Sequence, residues 1–145
     1  NLKSIEIPEN VELIDNHAFS ICSHLENVVF PLNAKLDKLS SQAFSSTGIK
    51  HVIIPPSVKK LDLDAFFYSP LENIEFLSDN IEFLSDFIDL TLPSLKLVSF
   101  PNAKKITYSS MKDLGNFKNS IIYINAKGVI KLTFMGSILN TFFDT

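Results

Sequence analysis

One short pattern, Leu-x-x-aliphatic-x-aliphatic or Phe-Pro, returns along this chain at almost constant spacing. It reads Leu2, Ile5, Ile7-Pro8, then Leu25, Val28, Phe30-Pro31, then Ile49, Val52, Ile54-Pro55. Leu71, Ile74, Phe76-Leu77 and Leu95, Val98, Phe100-Pro101 follow, and Asn119, Ile122, Ile124-Asn125 is a looser sixth copy. The last apolar residues of the copies (Ile7, Phe30, Ile54, Phe76, Phe100, Ile124) are 23, 24, 22, 24 and 24 residues apart. A fixed period in the twenties makes each copy one coil of a solenoid, because a single coil cannot bury its apolar edge and stacked coils share one interior.

Within Leu-x-x-Val-x-Phe, alternate residues point inward and their neighbours outward. Like strands of successive coils then form a parallel sheet, with rungs about 4.8 Å apart. Pro at the end of the strand stops it, and its missing N–H falls outside the ladder. The other half of each coil repeats as well. Val11, Ile14, Ala18-Phe19 lead to Cys22; Leu36, Leu39, Ala43-Phe44 to Thr47; Val58, Leu61, Ala65-Phe66 to Ser69. Ala lets backbones approach in a tight turn, and Phe plugs the interior. Cys22, Thr47 and Ser69 share one small-polar slot from which a side chain can bond the backbone of the turn.

These residues resemble the BspA-like leucine-rich repeats, the Treponema pallidum type, whose sentence is Ile-Pro-x-x-Val-x-x-Ile-x-x-x-Ala-Phe-x-x-Cys-x-x-Leu-x-x-Ile. Ile7-Pro8, Val11, Ile14, Ala18-Phe19, Cys22, Leu25 and Val28 match it nearly position for position. The expected fold is a leucine-rich-repeat solenoid of about six coils, with a parallel β-sheet on one face and short turns or helical turns opposite. It forms a single domain over residues 1–145, with repeats regular to about residue 76 and degenerate over 77–125. The resemblance further implies a surface or secreted protein engaged in adhesion or protein recognition.

The fourth repeat is disturbed. Asn73–Asp79 (NIEFLSD) is repeated residue for residue as Asn80–Asp86. The first copy keeps the strand spacing, so Ile74 and Phe76 belong to the ladder. The second places Ile81 and Leu84 in the Val-x-x-Ile slots and Ile88 in the Ala slot, with Phe87 or Leu90 filling the interior. In the fifth repeat Ala103, Ile106, Ser110 and Met111 approximate the slots, and the longer stretch 112–118, holding Gly115, predicts a bulging turn. Residues 126–145 have two readings. Met135, Ile138, Leu139 and Phe142 are spaced for one face of a capping helix, while Val129, Leu132 and Gly136 continue the repeat as a truncated further coil.

Composition excludes several functions. The 145 residues are 46% hydrophobic with a net charge of −3 and no basic run, so phosphate-neutralising nucleic-acid binding is not expected. The longest apolar stretch, 128–143, contains Lys131 and is short for a membrane span. Cys22 is the only cysteine, which excludes an intrachain disulfide or a multi-cysteine zinc site. The opening at Asn1 reads as a segment of a longer chain. No Gly-rich phosphate loop, nucleophile elbow or His-Glu-x-x-His occurs, and no catalytic residue, cofactor or metal is expected. His17 and His24 fall in exposed turn slots and His51 at an outward strand position. Asp62 and Asp64 flank Leu63 on an exposed turn, where carboxylates are ordinarily solvated.

What remains is the outward face of the sheet. One column reads Ser4, Asn27, His51, Asn73, Leu97, Ile121, and the other Glu6, Val29, Ile53, Glu75, Ser99, Tyr123. The candidate protein-binding residues are Asn27, Val29, His51, Ile53, Asn73, Glu75, Leu97, Ser99, Ile121 and Tyr123. Contiguous exposed apolar side chains mark a contact surface. The plain alternative is that β-branched residues suit strands. The expected role is non-catalytic binding of an unidentified protein partner, or else that of a structural spacer in a larger surface protein. Open solenoid ends could also drive end-to-end self-association.

Overall fold

The computed structural model of the chain describes residues 1–84, 92, 94–108, 131–134 and 137–138. Each Leu-x-x-Val-x-Phe copy among them gives one short strand: β1 (Ser4–Glu6), β3 (Asn27–Val29), β5 (His51–Ile54), β7 (Asn73–Phe76) and β9 (Leu97–Ser99). The Val-x-x-Ile half gives β2 (Leu13–Ile14), β4 (Lys38–Leu39), β6 (Lys60–Leu61), β8 (Asn80–Phe83), β10 (Lys105–Tyr108) and β11 (Lys131–Phe134). A last strand, β12, spans Ser137–Ile138. Both series stack as parallel ladders, β1–β3 and β5–β7–β9 on one side and β2–β4–β6–β8–β10–β11 on the other. The chain is therefore a β-solenoid. Its opposite side is a second parallel ladder, where turns or helical turns were expected. The helical content is one 3-10 turn, Leu63–Phe66, among the described residues.

The core follows from the pattern. Leu25, Ile49 and Leu71 from one half-coil and Leu36, Leu39 and Leu61 from the other are wholly buried. Along β5 burial alternates, with Val52 and Ile54 inside and His51 and Ile53 outside. Three Phe side chains from successive Ala-Phe turns form a spine. Phe44 stacks on Phe19 at 5.1 Å and on Phe66 at 5.5 Å, and meets the edge of Phe30 at 6.2 Å. Identical residues at identical coil positions lie one rung apart, so their rings stack in register.

The turns hold together in the same repetitive way. The carbonyls of Pro8, Pro31 and Pro55 accept from the N–H groups of Val11, Ala34 and Val58, three residues on, which turns each coil after its strand. Thr47 Oγ1 donates to the Phe44 carbonyl at 2.9 Å and Ser69 Oγ to the Phe66 carbonyl at 2.6 Å, the backbone bonds expected of the small-polar slot. Ile21, Ser46 and Tyr68, each two residues after the spine Phe, have φ of 62°, 53° and 56°. In that left-handed conformation the Ile21 N–H reaches the Ser45 carbonyl (2.9 Å) and the Ser46 N–H the Phe67 carbonyl (2.7 Å), coil to coil.

The duplicated heptapeptide is used twice. Its first copy forms β7, paired with β5 as His51↔Asn73 and Ile53↔Glu75. Its second copy forms β8 in the opposite ladder, with Lys60↔Glu82 and Leu61↔Phe83. Alternating apolar residues make either copy a competent strand, so position in the coil decides the sheet. The expected slot for Leu84 is corrected by one residue, because Phe83 lies opposite Leu61. The level continues through Tyr108 and Phe134, where Ile106 and Leu132 were expected. Phe83 follows Leu61 by 22 residues, as Leu61 follows Leu39, so the second copy falls at the ordinary spacing, while Tyr108 and Phe134 lie two residues beyond Ile106 and Leu132.

At the far end the described residues 131–134 and 137–138 are strand, and the other residues of the capping-helix reading, Met135, Leu139 and Phe142, lie outside the described ones. β11 extends the parallel ladder and β12 folds back antiparallel on it, Thr133↔Ile138 and Phe134↔Ser137. Ile88, Phe87, Leu90, the 112–118 turn, Ile121, Tyr123 and the sixth copy of the strand pattern lie outside the described residues.

Candidate functional site

The outward columns form as the alternation requires, with one interruption. Ser4 pairs in register with Asn27 and Glu6 with Val29 on β1 and β3. His51, Asn73 and Leu97 line up across β5, β7 and β9, as do Ile53, Glu75 and Ser99. Between β3 and β5 the strands lie side by side but no ladder joins them. Elsewhere the residue after the first Leu or Ile of a copy bonds the preceding coil, as Glu26 N–H to Lys3, Glu72 N–H to Lys50 and Lys96 N–H to Glu72. At the seam the donor is Gly48, whose N–H reaches the Leu25 carbonyl at 2.9 Å.

The sequence explains this break. Two residues, Ser23 and His24, separate Cys22 from Leu25, but one, Gly48, separates Thr47 from Ile49, as Pro70 separates Ser69 from Leu71, so among these three coils the turn length changes between the first and the second. The shorter turn brings the backbone of the second coil in early. A side chain at position 48 would forbid the approach, since a Cβ there would lie 2.9 Å from the Ser23 carbonyl oxygen. Lys50 and Ile54 of β5 give their carbonyls to β7. By strand alternation the backbone groups of His51 and Ile53 therefore face the seam.

Over the seam and the three strands beyond it lies an open concavity of about 530 Å³. Of the ten candidate residues it gathers Val29, His51, Ile53, Asn73, Glu75, Leu97 and Ser99. Asn27 is exposed on β3 but stands outside it. Ile121 and Tyr123 lie outside the described residues. Val29 (50% exposed), Ile53 (56%) and Leu97 (36%) hold large apolar surface in water. Leu32, 71% exposed, forms the rim and was missed from the sequence. The signal was there. The slot after the strand-ending Pro holds Glu9 and Asn102 in other copies, and an apolar residue in a solvated turn is out of place.

The electrostatics are sparse. At the start of β7, Glu72 meets Lys96 at 2.8 Å, and that hydrogen bond, reinforced by the charge of Lys96, holds its carboxyl below the ordinary range. On the opposite side Lys59 does the same for Asp79 at 2.9 Å, with Lys104 at 3.8 Å. Within the concavity Glu75 accepts a hydrogen bond from Ser99 Oγ at 3.0 Å. His17, His24 and His51 are exposed, and among the described residues no group of three or more His, Cys, Asp or Glu could hold a metal. Cys22 is partly buried against the core. Chemically, the arrangement offers apolar contact with a few hydrogen-bonding groups. Among the described residues no helix is long and apolar enough to cross a membrane.

A model of the BspA-type leucine-rich repeat region matches residues 1–137 with six copies. Among solved structures, a leucine-rich repeat protein from Bacteroides ovatus is similar, with 26% identity and a TM-score of 0.66 over 92% of this chain. The match spans 33% of that protein's length. No curated protein matches the chain.

Proposed function

Since the chain belongs to the BspA-type leucine-rich-repeat family, we propose that it is a non-catalytic module that binds another protein through the outward face of β3, β5, β7 and β9. The observation that carries this reading is the concavity over the seam, where Val29, Leu32, Ile53 and Leu97 stand exposed together. A face that served only water would favour polar residues there. The alternating pattern leaves those positions free to vary without disturbing the core.

Recognition on such a face works through rigidity. The ladders fix the backbone, so little ordering entropy is lost when a partner docks. The exposed aliphatic side chains supply desolvation energy, and His51, Asn73 and Glu75 supply directional hydrogen bonds that select among partners.

The test is to replace Ile53 and Leu97 together by Asp and measure binding to partners recovered with the unaltered chain. Both side chains point outward, so the circular dichroism spectrum and urea midpoint should hold while affinity falls at least tenfold. Unchanged affinity in a folded double variant refutes the face.

A further inference from the structure

We propose that the partner presents a cationic side chain, arginine or lysine, beside an apolar one, and that Glu75 receives the cation while Val29 and Ile53 receive the apolar group. This rests on the binding face proposed above and names the chemistry that the face selects.

Glu75 occupies the middle of the concavity. It is half-buried, with Ile53 opposite it on β5 and Ser99 opposite it on β9. The Ser99 hydroxyl donates to Oε2 and orients the carboxylate. No ion pair joins Glu75 among the described residues, although Glu72 and Asp79 are both paired with lysines. The lysines just before β5 and β9, Lys50 and Lys96, act on Glu72 instead. A half-buried carboxylate with an aliphatic side chain beside it and no ion pair among the described residues is a receptor for a cation from outside.

The apolar half lies one rung away. Ile53 is the register partner of Glu75, and Val29 faces Ile53 across the seam, so apolar and anionic subsites are separated by one to two rungs, about 5–10 Å. Side chains two apart on an extended peptide span that distance, at about 3.3 Å per residue. A second copy of this chain is a poor occupant. A two-fold contact on this face would bring the Glu75 groove of each copy against the other, carboxylate towards carboxylate.

The experiment selects a displayed random dodecapeptide library in parallel on the full 145-residue chain and on its Glu75→Gln variant. Binders are mapped by amide chemical shifts on the labelled protein. The expected result is enrichment, about threefold or more, of Arg or Lys within two residues of an aliphatic or aromatic residue on the unaltered chain alone. Shifts should fall on Ile53, Glu75 and Ser99, and affinity for Glu75→Gln should drop about tenfold, the range for loss of a charge-assisted hydrogen bond. The same peptides with their cationic residue replaced by glutamine, tested on the unaltered chain, probe the contact without touching the fold. Binders that map to the face but show no cation preference, or that keep full affinity after either replacement, overturn the cation subsite and leave the binding face standing. A selection in which nothing maps to the face overturns both.

Discussion

Replacing Phe44 by Ala tests the stacking argument at its centre. Phe44 is wholly buried, stacked on Phe19 and Phe66 and met edge-on by Phe30. A buried Phe→Ala change costs about 3–5 kcal/mol, transfer and cavity terms together. Three aromatic contacts place Phe44 at the upper end of that range, since each such pair adds about 0.5–1.5 kcal/mol beyond area. Phe19 is half-buried with one stacked partner, so Phe19→Ala should cost roughly half as much, about 2 kcal/mol. Urea unfolding followed by circular dichroism reads both. With a slope of about 2 kcal/mol per molar, the Phe44→Ala midpoint should fall by about 2 M and that of Phe19→Ala by about 1 M. Because coils are coupled only to their neighbours, cutting the spine in the middle should also broaden the transition. If Phe44→Ala costs no more than Phe19→Ala, the rings are filling space independently and the spine is not a cooperative element.

Ile21 is a β-branched residue with φ 62° and 79% exposure, so Ile21→Asn relieves left-handed strain at little loss of burial and should stabilise the fold by about 1 kcal/mol in the same urea assay. Asp79 and Glu72 have folded values lowered by Lys59 and Lys96, so their contribution is fully present above the unfolded values, about 3.9 and 4.3, and is lost as pH falls through the folded ones. Both pairs stand in solvent and the effect is small; a carbon-detected carboxyl titration should show Asp79 titrating at higher pH in Lys59→Met. In hydrogen exchange the His51 and Ile53 amides, which face the seam, should exchange at least tenfold faster than those of Asn73 and Glu75 in the β5–β7 ladder, and equal protection would mean the seam is closed.

The repeat, its parallel strands and the inward residues were legible because each is a property of spacing. Val28, Val52 and Ile74 recur at nearly the same coil position, and a one-residue slip would turn the apolar set to water. The outward columns were legible for the same reason, being the other half of the alternation. Three features were not. The second ladder depends on backbone pairing of two-residue strands such as Leu13–Ile14, too short to leave a pattern of their own. The register of β8 lies one residue from the slot read for Leu84, and both Leu84 and Phe83 are apolar enough for it. The seam beneath the concavity accompanies a change in turn length, Gly48 standing where the first coil has Ser23 and His24. That difference is visible in the sequence, but its consequence requires knowing which carbonyl the Gly48 N–H will find.

The seam bears directly on where recognition can occur. In an unbroken parallel ladder every backbone group of a central strand is satisfied by its neighbours, and only side chains can speak to a partner. Where β3 and β5 part, the His51 and Ile53 backbone groups lack that pairing, and they do so beside Val29 and Ile53, exposed apolar residues of the face. Unpaired polar groups next to exposed apolar ones cost stability, since water must serve both. A partner that covers the aliphatic side chains also meets backbone donors and acceptors that the fold has not used. Inserting one residue after Gly48 would match this turn to that of the first coil and let Lys50 reach Glu26, as Glu26 reaches Lys3. The inserted chain should gain amide protection at His51 and Ile53 and lose affinity for whatever the face binds. Gain of protection with unchanged affinity would separate the seam from recognition and leave the side chains alone to account for it.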